Sequence, residues 1–574
     1  MVASMRGLVS FRLVAGRGCP FLWWSLSCGL LSLACSRPAP PTAASTPSIP
    51  PVVVTAALCT TPRDPGPSPV RRLTRTEYAQ TFQDLLGPGA VDVSALPPDE
   101  EALGFDNNAD VMSTSDLLVE EYDQLAEQAG DWVASHLSNF AAFAACASGP
   151  SPDAACADTL IAEFGRRAWR HPLSAEEAGD LAAVFAAGNA DGGFEEGVAR
   201  VVAVALQSPQ FLYRVEVGGA LAGDLGGAVA LTSSELASRL SYLFLGSLPD
   251  DGLLAAAEAD RLLTAEGLAA EARRLLGDAR AHAVVTRFHG EWLGLDGLDT
   301  LDKDPVIYPA FDDGLRAGFR AESERFVDEV VWNGAGTLTA LLGSNVTFVD
   351  AELAAFYGVP APAAGTGTGL GRVVLDARER AGFLTEGAIL AVHAKPNQSS
   401  PVQRGRFVRE QLFCTTPPPP PPNIAIQPPL LDPRKTTRER FVEHTADPFC
   451  ASCHTQLDPI GFGFEHYDGI GHWRDTESGL PVDGSGMLTG TDVDGPFDGA
   501  PALAAQLAAS AEVRRCYATE WFRFAYGRGE TTADACTLAE LAGAFDAADG
   551  DVRALMVALT QTDAFRYRRQ EGMP

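Results

Sequence analysis

Positive charge is scarce in this sequence. Across 574 residues, 43 Lys and Arg stand against 74 Asp and Glu, a formal charge of −31. So acidic a body repels phosphate backbones and anionic lipid surfaces, which argues against a nucleic-acid partner. Histidine and methionine are rarer still, nine and six, so a histidine set beside other metal-binding side chains is informative. Apolar runs long enough to meet a membrane are missing beyond the N-terminal segment. Alternation of apolar and polar residues is also scarce. "NVTFVD" at 345–350 and "GRVVLD" at 371–376 are the expected short strands. There is no P-loop, no G-x-S-x-G elbow and no H-E-x-x-H, which removes the usual phosphate-loop, serine-hydrolase and zinc-protease readings.

What is present reads as helix. "TRTEYAQTFQDLLG" pairs Thr74 with Glu77 as a capping box, sets Tyr78, Phe82 and Leu85 on one face and ends at Gly87. "SAEEAGDLAAVFAAG" repeats the device with Ser174, Glu177 and Gly188, and "TSSELASRLSYLFLG" with Thr232, Glu235 and Gly246. A hydroxyl caps the first free amides, a carboxylate reaches back from three residues on, and glycine closes the helix. Linkers are expected at 218–227, at 360–369 ("PAPAAGTGTG") and at the stiff run "PPPPPPN", 417–423. His136 continues a helix face, and His282 and His289, beside Trp292, suit core packing better than ligation. "TDVDGPFDG" places Pro496 where a calcium loop needs a ligand, so a turn is preferred there.

The N-terminal segment has a basic start (Arg6, Arg12, Arg17), an apolar run to Ala34 and small residues before Cys35, the layout of a secretory signal. It resembles a lipoprotein signal, with Cys35 as the lipidated residue. The mostly Pro, Ala, Ser and Thr stretch that follows suits a tether. The expected address is therefore export to the periplasm or outer membrane, with membrane contact only through an N-terminal lipid anchor. Once residues 1–34 are removed, the formal charge becomes about −34.

Cysteine usage agrees with an oxidising address. Setting aside the signal, the lipidation candidate Cys35 and the pair Cys450 and Cys453 leaves six: Cys59, Cys146, Cys156, Cys414, Cys516 and Cys536. Cys146 and Cys156 flank a loop, Cys516 and Cys536 sit on two helices around the turn "GRGETTAD", and Cys59 with Cys414 follows by elimination. Six cysteines allow fifteen connectivities, so this is one assignment among several.

The most informative stretch is "DPFCASCHTQLDPIGFGFEHYDGIGHWRD", residues 447–475. Cys450, Cys453 and His454 form C-x-x-C-H, in which two thiols add to the vinyl groups of haem and the next histidine ligates the iron. With so few Cys and His in the chain, a chance match comes to about three in a thousand. Cys450, Cys453, His466 and His472 also match a zinc-finger spacing, but Gly469 and Gly471 fall where such a finger needs helix, and His454 is left unused. A Cys450–Cys453 disulfide is the third reading. Haem is the expected one, with Pro459 a candidate for orienting His454 through a nearby carbonyl.

Matching stretches along nearly the whole chain carry a resemblance. They include "RRLTRTEYAQTFQDLLG" (71–87), "FGRRAWRHPLSAEE" (164–177), "LQSPQFLYRVE" (206–216), "ELASRLSYLFLGSLPD" (235–250), "RAGFLTEGAIL" (380–390), "SSPVQRGRFVREQLFC" (399–414), the haem-motif segment and "WFRFAYGRGE" (521–530). The chain resembles the multi-domain cytochrome c-like proteins of planctomycetes and myxobacteria, built from consecutive domains of unknown function. The resemblance implies a mainly α fold: a multi-domain helical body with a C-terminal cytochrome c-like module holding one haem c. The expected division is signal 1–34, tether 35–68, helical domains 69–140, 141–216 and 228–358, a haem-motif domain 371–479 and a helical domain 480–570. Opposite His454, the sixth iron position is open between Met487, in "DGSGMLTG", and His444, which matches a histidine of the family pattern. The family sometimes has methionine where this chain has Leu457.

The expected function is one-electron transfer in the cell envelope to a redox partner protein. A haem-dependent redox enzyme acting on an organic substrate is the first alternative, and a disulfide-stabilised structural or binding protein without haem is the second.

Overall fold

The computed structural model describes residues 64–138, 143–149, 152–222, 225, 227–362, 369–417, 429–444 and 448–569, with the side chains of 148, 443, 444, 448–450, 452 and 453 outside the description. The signal, Cys35, Cys59 and most of the polyproline run therefore lie outside the described residues, as do the side chains of Cys450, Cys453 and His444. Helix takes 57% and strand 8%, so the protein is mainly α. Among the described residues every sheet is a two-stranded antiparallel ribbon.

The three capping boxes form. Thr74, Ser174 and Thr232 each cap a helix (Arg75–Leu86, Ala175–Gly192 and Ser233–Phe244), with the carboxylate of Glu77, Glu177 or Glu235 returning to the cap amide. Glu77 also takes both guanidinium nitrogens of buried Arg71, at 2.7 and 2.8 Å. The second helix does not stop at Gly188. It runs on to Gly192, because Gly188 serves the next helix, Phe194–Gln207, instead. A Cβ at 188 would lie 2.8 Å from the Glu196 carbonyl, so glycine here allows two helices to touch by their backbones. The two expected strands pair with each other, Val346–Val349 against Gly371–Val374, in the register Val346 to Val374.

Two buried cores organise the described residues, which belong to one compact unit. The first gathers residues between Leu73 and Phe211 with Tyr242 and Leu248, and the second runs from Leu231 to Phe565 and includes Phe105. The segments 228–358, 371–479 and 480–570 thus contribute to one continuous core. His289 sits inside it, with Nδ1 2.8 Å from the Val285 carbonyl and Nε2 2.9 Å from the Tyr517 hydroxyl, while His282 stacks on Trp332.

Cys146 and Cys156 are bridged, with Cα atoms 5.8 Å apart. The other two pairings are corrected. Cys516 bonds to Cys414, with Cα atoms 5.4 Å apart, which excludes both Cys516–Cys536 and Cys59–Cys414. Cys516 lies ten residues before the end of the helix Ala511–Tyr526, whereas Cys536 opens the returning helix Ala535–Ala547. An axial offset of roughly 15 Å at 1.5 Å per residue puts them beyond disulfide reach. Cys414–Cys516 closes a loop of 102 residues around the haem-motif segment. Chain-entropy reasoning gives such a closure about 4.7 kcal/mol.

Where Asp313–Asp328 meets the segment after Gly382, two carboxyls are buried together. Glu322 accepts from the Thr347 and Tyr357 hydroxyls, both at 2.6 Å, and Glu386 accepts from Ser323. Burial raises Glu322 to about 7 against the pull of those hydroxyls. Burial, with Glu322 alongside, raises Glu386 well above the carboxylate range. The folded value of Glu322 exceeds the unfolded 4.5. Its contribution to stability is therefore complete below that pH and is lost as pH rises through about 7. Glu322→Gln copies the protonated acid. Its stability relative to wild type is expected to grow between about pH 4.5 and 7, by up to about 1.4 kcal/mol per pH unit. Urea denaturation across that range measures this, and a difference flat in pH contradicts a protonated Glu322.

Candidate haem-binding site

The C-x-x-C-H segment is helical, Pro448–Gly461. Proline is at home in the first turn of a helix, where its missing N–H has no partner to lose. At 100° per residue, positions 450, 453 and 454 fall within one arc of the helix surface. One turn further on stands Asp458. The Nδ1 atom of His454 lies 3.0 Å from each Asp458 carboxylate oxygen. Pro459, expected to hold this ring through a carbonyl, does something else: its carbonyl lies against Gly486 of the strand Ser485–Leu488. Asp458 was not picked out from the sequence. Its signal was the i, i+4 spacing to His454, visible only once the segment is read as helix.

The helix is seated by backbone contact. A Cβ at Gly405, on the helix Pro401–Phe407, would overlap the Leu457 carbonyl, and one at Gly461 would overlap the Pro401 carbonyl. Arg409 reinforces the crossing through the carbonyls of Gln456, at 3.3 Å, and Thr489, at 2.6 Å. Leu457 is buried in this seat. Beneath it the buried guanidinium of Arg404 donates to the carbonyls of Phe464 and Tyr467 (2.9 Å each), Leu390 (3.1 Å) and Asp468 (2.6 Å). Burial pulls this guanidinium down to about 10, so it stays charged at neutral pH.

The other histidines of the segment have structural contacts. His466 stacks on Trp473 with ring centroids 4.6 Å apart, and its Nδ1 lies 3.0 Å from the Arg474 carbonyl. His472 is exposed and meets Phe356 edge to face. Glu465 is buried between Ser399 and Arg474, each at 2.9 Å. Met487 belongs to the strand whose Gly486 touches the haem-motif helix, but it is 40% exposed while its neighbour Leu488 is buried. His444 ends the helix Thr437–His444. Among the described residues the one grouping of possible metal ligands is Cys414, Cys516 and Glu520, and there both sulfurs are already joined to each other.

The donor set fits a c-type haem. Positions 450, 453 and 454 share one helix arc, and Nδ1 of His454 faces Asp458, so a haem held here would meet His454 through its other ring nitrogen.

Five family models match the chain in succession, each described as a protein of unknown function: DUF1587 over residues 71–135, DUF1595 over 156–216, DUF1592 over 231–359, DUF1588 (PSCyt3) over 380–477 and DUF1585 over 494–565. This is the arrangement of planctomycete-type cytochrome c-like proteins. The chain belongs to these proteins of consecutive domains of unknown function. No curated protein and no solved structure matches it.

Gly461→Ala should cost about 3 kcal/mol or more, because backbone and not a flexible side chain opposes the new methyl. Arg404→Lys should cost a similar amount, since an ammonium cannot reproduce the planar fork that reaches four carbonyls. Thermal denaturation of the two variants measures both. A loss under about 1 kcal/mol at either position contradicts the seat described here.

Proposed function

We propose that this protein is an exported c-type haem protein transferring single electrons in the cell envelope, with one haem c bound through Cys450 and Cys453 and His454 on its iron. The observation that carries the reading is the orientation of His454 by Asp458 on a helix locked to its neighbours by glycine contacts. A bound haem would supply a one-electron couple. The chain's part is to hold the imidazole in one tautomer and one plane, so that little reorganises when the charge changes. The packed surroundings of the helix suit that task. The haem-motif segment shares its core with the domains on either side of it and is not a loosely appended module.

The N-terminal signal layout supports export, and the two disulfides are at home in an oxidising compartment. Among the described residues no helix is long and apolar enough to cross a membrane. Lipidation at Cys35 is then the membrane attachment in this reading. The charge of −31 favours a basic redox partner protein over nucleic acid.

A second reading, a haem-dependent redox enzyme, draws on Met487. Its side chain stands on the solvent side of its strand. A sixth position taken neither by Met487 nor by His444 would be open to a small ligand.

Expression in a host with cytochrome c maturation tests the assignment. The tryptic peptide spanning Cys450 and Cys453 should carry the mass of haem, and the protein should give a pyridine haemochrome. Cys450→Ser should leave one thioether and shift the haemochrome band. A matured sample whose peptide has no added mass overturns the haem reading. Ready binding of carbon monoxide by the reduced protein moves the assignment to the enzyme.

A further inference from the structure

We propose that Asp458 tunes the haem: its carboxylate accepts the Nδ1 proton of His454 and holds the reduction potential below the value a neutral acceptor would give. The inference rests on the haem reading above and goes beyond it, to the residue that sets the electron richness of the iron ligand.

Asp458 is in a costly place for a carboxylate. It is 3% exposed, and it lies in the last turn of a helix ending at Gly461, where the backbone dipole disfavours negative charge. A buried carboxylate is expensive unless a hydrogen-bonded partner compensates. The imidazole one turn back is such a partner, at 3.0 Å from both oxygens. An amide side chain or a backbone carbonyl could orient the ring at less cost. What the carboxylate adds is charge. An anionic acceptor makes a shorter and stronger bond than a neutral one and draws the N–H proton further from the ring. The ligating nitrogen then donates more strongly, which favours the oxidised iron over the reduced. Asp458 is a positioning residue that acts on the metal through His454.

The geometry is also held against relaxation. The carbonyl of Leu457, immediately before Asp458, abuts Gly405, and the carbonyl of Pro459, immediately after it, abuts Gly486. The backbone on both sides of Asp458 is therefore held in place, and the buried carboxylate itself is held by its contacts with His454.

The test uses the full-length, haem-loaded protein. Haem content is read from the pyridine haemochrome, and the midpoint potential from a redox titration. Asp458→Asn keeps the shape and an acceptor oxygen but removes the charge. It should raise the equilibrium constant for reduction at least tenfold, about 59 mV for a one-electron couple. Asp458→Glu keeps the charge and should stay within threefold of wild type. If the reduced haem is five-coordinate, its iron–histidine stretch in resonance Raman should fall in the Asn variant and be retained in the Glu variant. A haem-loaded Asn variant within threefold of wild type overturns the proposal while leaving the haem assignment standing. If the Asn variant accumulates no holoprotein, the Glu variant decides, since a tenfold rise there shows that charge is not the lever. Wild-type protein without haem overturns the reading on which the proposal rests, and the haemochrome separates that result from the others.

Discussion

The segment that carries the haem motif depends on one buried cation. Arg404 places its guanidinium where the chain leaves the helix Pro448–Gly461 and turns back through Phe464, Tyr467 and Asp468. Carbonyls in such a turn have lost their helical partners, and burying them unpaired would cost about 1–3 kcal/mol each. A planar fork reaches three of them at once, and the carbonyl of Leu390 on a neighbouring helix as well. Lys303 repeats the theme nearby, donating to the carbonyls of Ala391 and Lys395, and burial lowers it to about 7. Two buried basic side chains donating to carbonyls, Arg404 and Lys303, line the loops around the site in a protein that is otherwise strongly acidic.

Close packing then fixes the helix on that base. Gly405 and Gly461 let two helices cross at backbone distance, and Gly486 does the same for the strand on the far side. A site built this way tolerates little movement, as the proposed haem ligation and electron transfer would require. The Cys414–Cys516 bridge joins the residue just after Pro401–Leu412 to the helix Ala511–Tyr526, so the domain around the haem motif is tied covalently to the last domain. The shared core makes the same connection by burial.

Much was legible from local patterns. The capping boxes at Thr74, Ser174 and Thr232 depend on residues within four positions of each other, and such signals survive folding unchanged. The strands Val346–Val349 and Gly371–Val374 were legible from alternation within 345–350 and 371–376, and the Cys146–Cys156 bridge from its spacing across a short loop. Elements that depend on distant partners were not. Gly188 reads as a helix stop until the helix Phe194–Gln207 lies against it. Cys536 is near Cys516 in sequence, but helix geometry separates them and turns Cys516 toward Cys414. Pro459 reads as the support for His454 until the helix shows that Asp458 has the reach.

The sequence alone determined that the chain is acidic, helical and divided into consecutive domains, and that Cys450, Cys453 and His454 stand in haem-attachment order. Those properties rest on composition and on spacing along one helix or loop, and no distant residue can alter them. Tertiary structure decided which carboxylate faces the imidazole, which cysteine Cys516 meets and which carbonyls Arg404 serves. Each of those choices depends on the direction in which a side chain points when two elements meet, and spacing along the chain does not contain that direction.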